Sequence, residues 1–107
     1  MHKVKELEDL EILLKQHPMT IVFFSGSICS ACQAIKLKLE QLLLRYPRIE
    51  SRDIDLVSQK QMAAHFGVYV SPVFILFVEG KECVRVGSSV DFGEVEGILK
   101  RYYDLLY

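Results

Sequence analysis

The 107-residue sequence predicts an α/β fold: one domain over 1–107, built on a central mixed sheet of four to five strands with helices on both faces. Three observations predict it. Apolar residues recur at three- and four-residue spacing in four separate stretches, the mark of amphipathic helices. Those stretches alternate with short β-branched and aromatic runs, which argues for parallel pairing. The last two runs are joined by Glu79-Gly80-Lys81 alone, a turn that makes the sheet mixed. A chain of this length holds a sizeable core but not two independent ones.

The elements follow in order. A short extended piece is expected around Lys3–Lys5. Leu7, Leu10, Leu13 and Leu14 place a helix over Leu7–Lys15, which His17-Pro18 ends because proline disfavours helical backbone before it. Met19–Ser25, closed by Gly26, reads as a strand buried on both faces. Ser30–Tyr46 carries Ala31, Ala34, Ile35, Leu39, Leu42, Leu43 and Tyr46 on one stripe and ends at Pro47. Ile49–Leu56 reads as a second strand. Ser58 with Gln61 resembles a capping box for a short helix bearing Met62, Ala63 and Phe66, closed by Gly67. Val73–Val78 is a third strand and Glu82–Val86 a fourth. Asp91 with Glu94 makes another capping box, opening a helix whose stripe is Phe92, Val95, Ile98, Leu99, Tyr102 and Leu106.

Half the residues are apolar and a quarter charged, the balance of an ordinary globular protein, and the formal net charge is −1. Nucleic acid and anionic membrane both favour concentrated basic surface, so neither is an expected partner. The longest purely apolar run, Val73–Val78, is six residues, far short of the ~20 that span a bilayer. The N-terminal residues lack the apolar run of a secretory signal. These observations predict a soluble, cytoplasmic monomer.

Three cysteines are an odd number, and two of them form Cys29-Ser30-Ala31-Cys32. Secreted disulfide scaffolds usually carry even numbers. In a reducing compartment a close pair is catalytic or metal-binding more often than a staple. The pair sits after a buried strand, at the first turn of a long helix, where unpaired N–H groups and the helix dipole favour a thiolate. Such a cysteine, with a second two residues on, has its pKa lowered from about 8.5 toward roughly 3.5–7.5. Cys29, nearest the helix start, is expected to attack a substrate disulfide. Cys32, one turn in, resolves the mixed disulfide.

Val70-Ser71-Pro72 directly precedes the strand Val73–Val78. Proline donates no ladder hydrogen bond, so it belongs at the strand's start, and it is a candidate cis proline. Strand, CxxC at a helix start, His65-Phe66-Gly67-Val68, the loop ending in Ser71-Pro72 and a hairpin through Gly80 and Gly87 together resemble the thioredoxin family, from about Met19 to the end. The resemblance implies a thioredoxin fold in which Pro72 is cis, faces the Cys29–Cys32 sulfurs and keeps metal ions from them. It implies that Val70 and Ser71 hold an extended substrate peptide through their backbone, with Gly87 completing the groove. Ile28, Ser30 and Ala31, around the sulfurs, and Tyr69, in the adjoining loop, join the expected contact surface. Protein disulfides are then the substrates, and a flavoenzyme reductase or a small thiol restores the Cys29/Cys32 dithiol, with no cofactor or metal bound.

Two departures qualify the resemblance. The family's usual Trp-Cys-Gly-Pro-Cys is here Ile28-Cys29-Ser30-Ala31-Cys32, and the chain has no tryptophan. The buried aspartate six residues before the first cysteine is here Phe23, and its companion lysine aligns near Ser51. General-base assistance contributes about 10²–10⁴-fold, so slower turnover is expected unless another group substitutes. Asp53 and Asp55 are candidates, but both read more simply as solvated strand-end carboxylates. Lys36, Lys38, Glu40 and Arg45 read as a solvated helix face. Cys83 reads as a small, partly buried filler, with a regulatory thiol as the alternative. His2, His17 and His65 make no ligand cluster with the CxxC. Tyr102, Tyr103 and Tyr107 are expected to pack the last helix.

Two other functions compete with a disulfide reductase. A thioredoxin-fold interaction or chaperone module with weak redox chemistry accommodates the missing Trp, Gly-Pro and aspartate. A metal module needs four Cys or His ligands, which one CxxC and a distant Cys83 do not supply within one chain.

Overall fold

The computed structural model describes residues 1–26 and 29–107. Among the described residues, five strands and four helices follow one another as β1 (His2–Lys3), α1 (Leu7–Gln16), β2 (Met19–Ser25), α2 (Ser30–Leu43), β3 (Glu50–Asp55), α3 (Lys60–His65), β4 (Val73–Val78), β5 (Lys81–Val86) and α4 (Phe92–Leu106). The sheet order is β1-β3-β2-β4-β5. β1 and β2 each run parallel to β3, whereas β4 runs antiparallel to both β2 and β5. The expected mixed α/β sheet is therefore present with five strands, and the Lys3–Lys5 piece becomes its edge, shifted to His2–Lys3.

Alternation along β2 and β4 sends side chains to two separate cores. Val22, Phe24, Ile75 and Phe77 join Leu10 and Leu14 of α1 and Met62 and Ala63 of α3. Ile21, Phe23, Phe74 and Leu76 join Leu39 and Leu42 of α2 and Val95 and Leu99 of α4. Both central strands are thus buried on both faces, which is why each reads as an almost unbroken apolar run.

The helix ends show where sequence patterning stops being decisive. α2 ends at Leu43, three residues before the expected Tyr46. The N–H groups of Leu44, Arg45 and Tyr46 turn instead to the carbonyls of Gln41, Leu42 and Leu43. That tighter winding brings the chain out of the helix ahead of Pro47. Tyr46 remains buried, its hydroxyl donating to Glu96 Oε2 at 3.0 Å. At α3 the expected Ser58 cap does not form, and the helix begins at Lys60 with no side-chain cap. Asp55 organises that turn instead. Its carboxylate accepts from the Val57 N–H at 2.9 Å, and its carbonyl accepts from Gln59 N–H at 2.9 Å.

The other end signals hold. Gly67, at φ +70°, closes α3, with Val68 N–H reaching back to Ala63 O at 3.0 Å. Asp91 caps α4 by accepting from the N–H groups of Gly93 and Glu94. Glu79 and Gly80 adopt φ of 52° and 79°, the pair of positive values that a two-residue hairpin turn of type I′ requires.

Candidate active site

β2 and β4 deliver two loops to one end of the sheet. The antiparallel register pairs Phe24 with Val73, so the residues that follow β2 lie beside those that precede β4. Gly26 follows β2 and Ser71-Pro72 precedes β4. The two loops approach so closely that a Cβ built on Gly26 would stand 2.9 Å from Ser71 Oγ. Glycine there removes the clash. The Ser71–Pro72 peptide bond is cis, and Pro72 is buried. Gly87, after β5, is exposed and completes this end, a Cβ there lying 4.0 Å from the Pro72 carbonyl oxygen.

Cys29 is the N-cap of α2 in extended backbone, and Cys32 lies within the first turn. The two are joined as a disulfide with Cα atoms 5.2 Å apart. Cys29 Sγ accepts the Cys32 N–H at 3.2 Å, so the sulfur takes the place of a capping oxygen. The sulfurs differ in access: Cys32 is 3% exposed and packs with the α2/α4 core, whereas Cys29 is half-buried at its edge. A helix N-terminus holding one reachable sulfur and one sheltered sulfur can support thiol–disulfide exchange, because the end of the dipole favours the attacking thiolate.

The remaining expected residues sit around this pair. Ser30 and Ala31 are exposed between the cysteines. Tyr69 and Val70 are 71% and 68% exposed, high values for such side chains, and Ser71 is half-buried. Ile28 lies outside the described residues. A cleft of about 630 Å³ runs from Gly26 and Ser71 past Tyr69 to Val57 and Lys60. Its lining is mostly apolar, with the Lys60 ammonium, the Ser71 hydroxyl and the Tyr69 phenol as its polar side-chain groups. Cys83 is half-buried against the α2/α4 core, the filler position expected of it. Among the described residues no group of three or more His, Cys, Asp or Glu is placed to hold a metal ion.

Two expectations are overturned in the same place. Asp53 is not a solvated strand-end carboxylate but a buried one, 3% exposed. Lys36 does not belong to a solvated helix face, since its Nζ meets Asp53 Oδ2 at 2.7 Å. The Ser25 hydroxyl donates to Asp53 Oδ1 at 3.1 Å, so both carboxylate oxygens are engaged. The physical reason is register. β3 lies inside the sheet between β1 and β2, so its residues are flanked rather than free, and Asp53 stands directly opposite Phe23. A burial signal was present: Lys36 falls four residues after buried Cys32 and three before buried Leu39, on the inward stripe of α2. A lysine at an inward position requires a counter-charge within reach. Asp55, by contrast, remains partly open, and the Val57 N–H donated to it holds its carboxyl below the usual carboxylate range.

Comparison with known proteins now decides the family. The family profile described as Thioredoxin matches residues 2–100. The chain belongs to the thioredoxin family. It is similar to the thioredoxin-like protein YdfQ of Bacillus subtilis, 31% identical over 105 residues, covering 98% of this chain and 94% of that protein. It is also similar to a thioredoxin of Chlamydia muridarum, 29% identical over 82 residues, covering 77% and 78%. Among solved structures, Fasciola hepatica thioredoxin superposes with a TM-score of 0.82 at 25% identity, covering 95% and 99% of the two chains. The fold is the thioredoxin fold, and the Cys29–Cys32 pair makes the protein a thiol–disulfide oxidoreductase of that family.

Proposed function

We propose that this thioredoxin-family protein is a protein disulfide reductase. The observation that carries the reading is the unequal exposure of two joined sulfurs at one helix start. Cys29, as thiolate, attacks one sulfur of a client disulfide. The client S–S bond breaks, a Cys29–client mixed disulfide forms, and the released client sulfur takes up a proton. Cys32 then loses its proton and attacks Cys29 Sγ, expelling the second client sulfur as a thiol. Two electrons and two protons have passed to the client, and the Cys29–Cys32 disulfide remains. A flavoenzyme reductase or a low-molecular-weight thiol restores the dithiol, and the reducing cytoplasm is the setting in which that direction is maintained.

Client binding follows from the surface beside the sulfurs. An extended client segment lies along Val70 and Ser71, whose backbone precedes β4, with Gly87 and Pro72 on one side and Tyr69 on the other. Ser30 and Ala31, exposed between the two cysteines, border the reacting bond. The exposed side chains of Tyr69 and Val70 support this reading, since packing explains neither.

Dithiothreitol-driven insulin reduction tests the proposal. The wild-type protein is expected to accelerate insulin precipitation strongly, and the Cys29→Ser/Cys32→Ser double variant is expected to leave the dithiothreitol background unchanged. Equal rates for the two proteins would refute the reductase reading.

A further inference from the structure

The edge strand β5 reaches across to the root of the loop that carries Tyr69, Val70 and Ser71. Strict alternation would put Glu82 and Arg85, three residues apart, on opposite faces of the sheet. A bulge prevents that. Glu82 pairs with Phe77 and Val84 with Leu76, so Cys83 is the extra residue between them. Cys83 and Val84 therefore both pack on the α2/α4 core. Glu82 and Arg85 instead stand opposite Phe77 and Ile75, two residues of the α1/α3 core. The bulge thus brings carboxylate and guanidinium together on the face that α3 covers.

There the guanidinium holds two things at once. Its Nε and Nη2 donate to the two Glu82 carboxylate oxygens at 3.1 and 2.8 Å, a bidentate pair. Its Nη1 donates to the Gly67 carbonyl at 3.0 Å, and Nη2 donates to that of Phe66 as well. Both carbonyls lie at the end of α3, where no further helical turn supplies a donor. Both side chains of the pair are more than a third exposed, so its worth lies in geometry more than in net stability. Glu82 fixes the fork, and the fork fixes the peptide groups from which the chain leaves for Tyr69. Past Gly67, only Val68 enters the core before Tyr69 and Val70 stand out into solvent. One end of the loop is therefore set by β4, through Pro72 and Val73, and the other by β5, through Arg85.

We propose that Arg85, held by Glu82, is a positioning residue for client binding, which presets the loop of residues 69–71 from the sheet edge. Arg85 acts through the backbone and not on the sulfurs. The proposal rests on the reading that a client segment lies along this loop. A loop left loose has to be ordered when an extended chain docks on it, and that cost falls on binding the chain. A small disulfide that makes no use of the loop bears none of it.

The test compares prereduced protein acting on insulin and on dithiobis(nitrobenzoate), whose coloured thiolate reports exchange with no peptide to hold. Arg85→Ala is expected to slow insulin reduction about tenfold, equivalent to about 1.4 kcal/mol, and to keep the small disulfide's rate within about twofold. Arg85→Lys keeps the charge but puts one ammonium in place of a fork, and is expected to lose about threefold on insulin alone. It also decides the matter if Arg85→Ala does not fold, because a wild-type insulin rate in Arg85→Lys would refute the proposal. Val84→Ala loosens the same strand from the opposite face and is expected to keep both rates. Amide exchange at Tyr69 and Val70 is expected to quicken in Arg85→Ala and not in Val84→Ala. Equal losses on both disulfides, no loss on either, an insulin-selective loss in Val84→Ala, or unchanged exchange in the loop would overturn the proposal. If wild-type protein leaves insulin unreduced, the reductase reading falls, while loop exchange, which needs no client, still measures the hold of Arg85.

Discussion

Cys32→Ser protein is expected to accumulate as covalent adducts with client proteins, and Cys29→Ser protein to form none and to reduce nothing. With serine at 32 the first exchange still occurs, because Cys29 retains the helix N-terminus and its edge position. The mixed disulfide then has no internal thiol to break it and persists until an external one arrives. With serine at 29 the remaining sulfur is the 3%-exposed Cys32, which a client disulfide cannot reach in line. Activity should fall to the uncatalysed background in both variants. Non-reducing gels of protein incubated with a disulfide client, then reduced and compared, distinguish the two. Adducts on Cys29→Ser but not on Cys32→Ser would reverse the assignment of the attacking and resolving sulfurs.

Phe74→Ala is expected to be the most destabilising single truncation in the core beneath the disulfide. The Phe74 ring stacks between Phe23 and Phe92, at centroid distances of 6.3 and 6.4 Å, and is 1% exposed. It therefore joins the sheet to the first turn of α4 within the same core that seats Cys32. Removing a ring from such a site typically costs about 3–5 kcal/mol, the transfer term plus a cavity that β2 and β4, hydrogen-bonded on both sides, cannot collapse to fill. Urea unfolding followed by circular dichroism measures the loss, with an unchanged slope showing that the unfolded state is not what moved. A loss below about 1 kcal/mol would mean that α4 repacks onto the sheet, contrary to this account.

The sequence revealed the fold wherever one residue's chemistry admits few conformations. Pro18, Gly67, Gly80 and Asp91 end or begin elements at the places expected, because a missing N–H, a positive φ or a short carboxylate acts locally. The apolar runs of β2 and β4 marked the sheet's centre for a similar reason: only flanked strands bury both faces. Patterning failed where the outcome depends on a partner distant in the chain. Ser58 lost its capping role because Asp55 took over the turn. Asp53 read as solvated because nothing in β3 announces that β1 lies on its other side, with a two-residue strand too short to register as periodic.

The candidate site divides along the same line. Cys29, Cys32 and Pro72 were legible, since spacing and position next to buried strands are properties of sequence. The carboxylate beneath them was not. Phe23 was recognised as a departure from the family's acid, whereas the burial of Asp53, on β3 opposite that very phenylalanine, was not. Its lysine comes from α2, whereas the resemblance placed the companion near Ser51. The pair follows from packing, which sets Lys36 on the inward side of its helix within reach of Asp53, and not from a motif.

Equilibration of the Cys29–Cys32 pair with glutathione buffers of graded potential, read by alkylation and mass spectrometry, measures how strongly the dithiol donates electrons. A reductase of this family is expected to titrate as a two-electron couple near −270 mV, and a half-oxidised point near −120 mV would show a pair built to oxidise its clients and would contradict the account.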